Sequence, residues 1–253
     1  MALKHKCRRF SPILGAICKL LISLSVMGVS ANSLPPLVLG VEDSWPPYSD
    51  KRGNGISKEI IVAALGAVGQ PVSFVVLPYA RVLRDVESGF IDGGFNVTRQ
   101  ASTSERFIFG EVAILKARGS FFYPPDSPLE ISNHADIKDS ARIGLILGYE
   151  YGNAYEQHRH RFREFKVGQQ SQIVRMLMAR RLDLAIMFDE VAKQTLMDMG
   201  LASDSITQGA ENHLSEIYVV FSRRNPLSGQ YAEKLDQGLN IIKASGQYAD
   251  IIH

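Results

Sequence analysis

Apolar positions along the chain recur in two periods, and the switches between them mark out the elements. The run Leu37 to Val41 predicts a short strand, followed by a loop rich in Pro and Gly. Ser57 then opens a helix on which Ile60, Ile61, Ala64, Leu65 and Val68 recur at helical spacing. Val72 to Leu77 reads as a second strand, Ala80 to Ser88 as a helix stopped by Gly89, and Phe95 to Val97 as a third strand. Strand and helix alternate, the pattern of a sheet covered by helices.

The pattern then breaks and restarts. Between Tyr123 and Asp139 the chain turns polar and rich in proline, after which Arg142 to Leu147 predicts a strand that leads into a helix beyond Gly148. Gln170 to Arg181 predicts a helix with Ile173, Val174, Leu177 and Met178 on one face, and Leu184 to Met187 a strand. Near the end, Glu216 to Phe221 is a strand, Asn225-Pro226 interrupts, and Leu227 to Ala244 is a helix with Leu235, Leu239 and Ile242 on its apolar side. Two α/β units joined by strands leave a cleft between them, a usual place for a small ligand. No internal repeat or low-complexity tract is present.

The first residues bear on compartment. Lys4, Lys6, Arg8 and Arg9 form a basic head, Leu20 to Val29 an apolar stretch, and Val29-Ser30-Ala31 a small-x-small end, so residues 1–31 read as a signal peptide cleaved near Ala31. Lys19 splits the apolar run, which leaves it short for an uncleaved membrane anchor. Both cysteines, Cys7 and Cys18, lie inside this leader, so the exported chain holds no thiol for a disulfide, a thiolate metal site or a nucleophile. The leader also takes five of the 28 basic residues and none of the 26 acidic ones, leaving 23 against 26. That balance argues against nucleic acid as a partner.

Four stretches stand in order along the chain: EDSWPPY at Glu42–Tyr48, PYARVL at Pro78–Leu83 leading to GFIDGGFNVTR at Gly89–Arg99, RRLDLAIMFDEVA at Arg180–Ala192, and FSRRNPL at Phe221–Leu227. Together they look like the family 3 solute-binding proteins that serve polar amino-acid ABC importers. The ending KASGQYADII is similar to that family's last helix, and the order of the pieces spans nearly all of the exported chain. The resemblance implies a two-lobed periplasmic binding protein type II fold, two α/β domains joined by a two-strand hinge with a ligand cleft between them. Lobe 1 would be discontinuous, residues 34–118 plus 216–253, and lobe 2 residues 119–215.

Candidate binding residues follow from both sources. Trp45, the single tryptophan, sits in a proline-flanked loop after the first strand, where it either stacks on a ligand or fills core. Glu42 falls where relatives often place the partner of a ligand's ammonium; otherwise it is a solvated carboxylate. Tyr79 and Arg81 open a helix, and Arg81 either forks onto an anion or pairs with Asp85 one turn on. Thr98 matches a family threonine that holds a ligand carboxylate, with Asn96 and Arg99 beside it in the candidate set. Gly148 and Tyr149 lie in the turn Gly148-Tyr149-Glu150-Tyr151-Gly152, whose free amides could receive an anion, although Glu150 would oppose one.

Two departures from the family pattern stand out. Thr103 occupies the place of the arginine that clamps an amino acid's carboxylate, and Phe188 that of the aspartate that meets its ammonium; a one-residue bulge would bring Asp189 in instead. His158 and His160, two residues apart on a helix and set among Arg159, Arg161 and Arg163, point to opposite sides and do not read as a metal pair; the basic run reads as a solvated helix face. The expectation is a monomeric binding protein without catalysis, cofactor or metal, delivering a small polar solute to an ABC transporter permease. A periplasmic dehydratase or lyase on the same scaffold and a ligand-sensing module for a signalling partner are the alternatives.

Overall fold

A computed structural model of the protein describes residues 1–2, 34–127, 131 and 133–253. The expected leader, its expected cleavage point and both cysteines lie outside the described residues, as does part of the proline-rich break. Residues 34–253 form one compact unit.

The chain starts as the pattern predicts. β1 (Leu37–Glu42), α1 (Ile56–Ala67), β2 (Val72–Leu77), α2 (Tyr79–Glu87) and β3 (Gly93–Thr98) alternate, with β1 parallel to both β2 and β3. The first helix begins one residue before Ser57: Gly55 is its cap, and the Ser57 hydroxyl is buried inside the first turn without a partner. A short α3 (Ala101–Ser104) and β4 (Phe107–Phe109) lead to β5 (Leu115–Tyr123), which crosses to the second half. There β6 (Arg142–Ile146), α4 (Asn153–His158), β7 (Arg163–Val167), α5 (Gln170–Met178), β8 (Leu184–Phe188) and α6 (Asp189–Asp198) follow, with β6 parallel to β7 and β8. The 16-residue strand β9 (Thr207–Ser222) returns, and α7 (Ser228–Ala244) and α8 (Gln247–Ile252) close the chain.

The nine strands make one sheet in the order β2-β1-β3-β9-β5-β8-β6-β7, with β4 added alongside β9. Each end is a parallel βαβ set, and the centre is antiparallel, because β5 and β9 run through both halves and pair with each other from Leu115↔Ile217 to Tyr123↔Thr207. This is the two-lobed type II periplasmic binding protein architecture. One end of the sheet carries the cluster of Leu37, Leu39, Ile60, Ile61, Leu65, Phe95, Leu235, Leu239 and Ile242. The other carries two clusters around Ile143, Leu145, Tyr155 and Leu184 on one face and Ile173, Val174, Leu177 and Met187 on the other.

The basic run departs from the expected solvated helix face. The α4 helix ends at His158, Arg159–Arg161 forms a 3-10 turn, and Arg163 already belongs to β7. Local acids draw these arginines in: Arg159 pairs with Glu156 and, at 2.8 Å, with Glu164, and Arg161 pairs with Asp139 at 2.6 Å. His158 stacks on His134 with ring centres 6.2 Å apart. Among the described residues no group of three or more His, Cys, Asp and Glu is arranged to hold a metal, and no helix is long and apolar enough to cross a membrane.

Helices α1 and α7 cross at Gly238, where a Cβ would fall 2.0 Å from the Ala64 carbonyl oxygen. Gly238→Ala should therefore destabilise the fold by about 1–3 kcal/mol through overpacking, even after the roughly 1 kcal/mol that alanine gains as a helix former. The check is a urea titration, in which the midpoint falls at unchanged slope.

Candidate functional site

The parallel strands of both halves end toward each other, so the loops that leave them meet at the centre. Strand β1 delivers Glu42 and the loop bearing Trp45, Pro78 starts α2 at Tyr79, and the turn after β6 delivers Tyr149 and Glu150 from the other side. Strand β3 contributes through a bulge: between Phe95↔Val219 and Val97↔Tyr218, Asn96 is left unpaired in a left-handed conformation at φ 68. Such a conformation costs an ordinary residue about 1–2 kcal/mol and re-aims its side chain.

Together Trp45, Tyr79, Asn96, Thr98, Tyr149, Glu150 and Phe188 line a small cavity of about 10 Å³, room for roughly one water. Two hydrogen bonds cross it in opposite senses. The Tyr149 hydroxyl donates to Glu42 at 2.5 Å, and the Tyr79 hydroxyl donates to Glu150 at 3.0 Å. Each half therefore offers one tyrosine and receives one on a glutamate. The aromatic walls interlock: Trp45 lies edge-on to Phe188 at 5.2 Å and against Tyr48 at 4.4 Å, and Tyr79 meets Tyr149 edge to face at 4.7 Å. Tyr149 packs against the three clusters above and against a further one around Val82, Val86, Phe107 and Val220.

Burial dominates the electrostatics. It pushes the Glu42 carboxyl up to about 8 against the Tyr149 bond and the nearby Asn96 amide, with the fields of Asp43 and Glu150 adding to the rise. Burial likewise raises Glu150 to about 8 against the Tyr79 bond, and it holds both tyrosine hydroxyls well above their ordinary range. Four buried polar atoms at the centre complete no hydrogen bond: Glu42 Oε1, Trp45 Nε1, and both the oxygen and nitrogen of the Asn96 amide. Buried groups left this way cost about 1–3 kcal/mol each, and such clustering marks a place built to receive something.

The remaining candidates lie around this centre. Gly148 presses on Ala80 across the cleft, where a Cβ would come within 3.2 Å, and its φ of 89 is one that side chains rarely adopt. Arg81 is exposed and turned to Asp85 at 3.9 Å. Arg99 leans over the rings of Phe109 and Tyr218, 5.1 Å from each, and approaches Glu111 at 3.6 Å; it also borders an open cavity of about 430 Å³ that shares Thr98 with the centre. Thr103 is buried and structural, its hydroxyl donating to the Thr98 carbonyl at 2.8 Å. Strand β8 runs regularly to Phe188, so Phe188 faces the cavity, while Asp189 starts α6 and binds Arg118 at 2.8 Å.

Two contributors escaped the sequence reading as partners of the cleft. Glu150 was legible only as an acid set between two tyrosines in a glycine-bounded turn. His213, on β9, packs edge-on to Phe188 at 5.4 Å, and burial lowers it to about 4; a lone histidine in a polar strand gives no local signal.

No family model and no curated protein matches the sequence. Solved structures do match over most of the chain. A histidine kinase sensor domain with similarity to periplasmic binding proteins aligns at a TM-score of 0.73 and 18% identity, over 85% of this chain and 93% of that one. The substrate-binding protein of an amino acid ABC transporter aligns at 0.70 and 18%, over 86% and 97%. An ancestral amino acid-binding protein, a precursor of cyclohexadienyl dehydratase, aligns at 0.68 and 14%, over 85% and 92%. The chain thus has the fold shared by amino-acid-binding transport proteins, sensor domains and a dehydratase precursor.

Proposed function

We propose that this protein is an exported solute-binding protein of the periplasm that closes over a small polar molecule and presents the closed form to an inner-membrane ABC importer. The observation that carries the reading is the small cavity at the centre, walled from both halves and beside buried polar atoms without partners. In it, residues 34–118 with 216–253 act as one lobe and 119–215 as the other, with β5 and β9 as the hinge. Ligand binding shifts the population toward closure by its greater affinity for the closed form. Transport is favoured over the dehydratase alternative on parsimony, since it requires of the cleft nothing beyond capture; a sensing module would use the same cleft in the same way. The dehydratase reading has one observation in its favour, since a carboxyl raised to about 8 is able to act as a general acid near neutral pH.

A thermal-shift screen of the purified protein against amino acids, organic acids, amines and short peptides tests the reading. A ligand at one hundred times its dissociation constant adds about 2.7 kcal/mol, a clear rise in melting temperature. Absence of any stabilising solute would sink the binding proposal, whereas turnover of a cyclic acid, lost in Glu42→Gln, would move the assignment to an enzyme.

The two carboxyls also make closure without ligand depend on pH. In an open cleft they regain water and titrate near 4.5; in the closed one they hold their protons to about 8. Below 4.5 both forms are protonated and the balance is flat. As pH rises toward 8 only the closed form keeps the protons, so closure weakens by up to about 1.4 kcal/mol per pH unit for each carboxyl. Small-angle scattering of the ligand-free protein should show a compact particle at pH 5 and a more open one at pH 8.5; identical profiles at both would contradict this.

A further inference from the structure

Resting on the solute-binding reading, we infer that the solute is an organic cation carrying an ammonium or guanidinium group and no carboxylate, met by Glu150 and Glu42 within a box of aromatic rings. The cavity lining holds one acid and no Lys, Arg or His. Glu42 stands directly behind Tyr149 as a second acid, 2% exposed. Arginines on the surrounding elements are committed elsewhere: Arg81 to Asp85, Arg99 to Glu111 and two rings, Arg106 to Glu87 at 2.8 Å, and Arg118 to Asp189 at 2.8 Å. An anion placed here would add a third acidic group to a site whose one facing cation, Arg106, is already paired with Glu87. A cation finds the opposite: two carboxyls, the unpartnered oxygens of Glu42 and Asn96 as acceptors for its N–H groups, and a lining of the rings of Trp45, Tyr79, Tyr149 and Phe188.

The tyrosines explain how the site survives empty. Each hydroxyl donates to the carboxyl that the cation would take over, so Tyr79 and Tyr149 hold the places of ligand N–H groups. The groups facing Glu42 are Tyr149, Asn96, Asp43 and Glu150, and those facing Glu150 are Tyr79, Arg106 and Glu156. Of these only Arg106 is cationic. An arriving cation therefore ionises the carboxyls, and their protons leave to solvent.

Calorimetry of the full protein at pH 5, where the empty protein is expected closed with both carboxyls protonated, tests this with 1,4-diaminobutane, 4-aminobutylguanidine and methylammonium against L-glutamine, L-arginine and succinate. The expected result is binding by at least one of the three cations, with proton release detected as a difference in heat between two buffers. Glu150→Gln and Glu42→Gln should each weaken that binding by roughly tenfold or more. The proton count needs no variant, so it stands even where a substitution impairs folding. Binding of an amino acid or succinate with none by the cations overturns the inference and leaves the solute-binding function intact, as does cation binding without proton release. Silence from every probe, repeated in the broader stability screen, removes the solute-binding reading itself.

Discussion

Two glutamate side chains taken out of water on opposite sides of one cavity set the terms for everything else at the centre of this molecule. A buried carboxylate is so costly that the group keeps its proton or finds a counter-charge. Here Glu42 and Glu150 are each met by a tyrosine from the other half, and the pair of bonds joins the halves only while they are in contact. The same desolvation that raises both carboxyls makes the contact conditional, because opening the cleft restores water to them. Closure and ionisation are thus one equilibrium seen from two sides.

The scaffold keeps these groups in register through backbone rather than side chains. The β5–β9 ladder runs from Leu115↔Ile217 to Tyr123↔Thr207, and its register shifts near Gly119 and Ser120 fall midway along its length. On either side, parallel strands end at the cleft and hand their loops to it, so Glu42, Tyr79, Asn96, Tyr149 and Phe188 arrive from five separate elements. The bulge at Asn96 places an amide in the cavity that a regular strand would have turned away.

Much of the fold was legible because apolar residues run together in the strands and recur at helical spacing in the helices. β2 matched its predicted limits, and α1, α2, β6, α5 and α7 fell within a few residues of theirs. What stayed hidden was the connection between the halves: Thr207–Ser215 reads Thr-Gln-Gly-Ala-Glu-Asn-His-Leu-Ser, half exposed and polar, and it is a strand only because β5 offers a partner. At the site, Trp45, Tyr79 and Tyr149 announced themselves as aromatics in loops after strands. The pairing of Tyr149 with Glu42 did not, since 107 residues separate them and no local pattern encodes a bond across a cleft. Phe188 and Thr103 were visible as departures from a family pattern, and the structure gives each a physical place, one in the cavity wall and one holding the loop after β3.

Trp45 is the sole tryptophan of the chain, 1% exposed, edge-on to Phe188 of the opposing half and with an indole nitrogen that has no partner. Any parting of the halves removes that ring from its side and admits water to the indole. The protein consequently carries one tryptophan fluorophore, placed at the junction whose opening matters, with no second indole to dilute its emission. Its movements in solution are open to ordinary spectroscopy without a label.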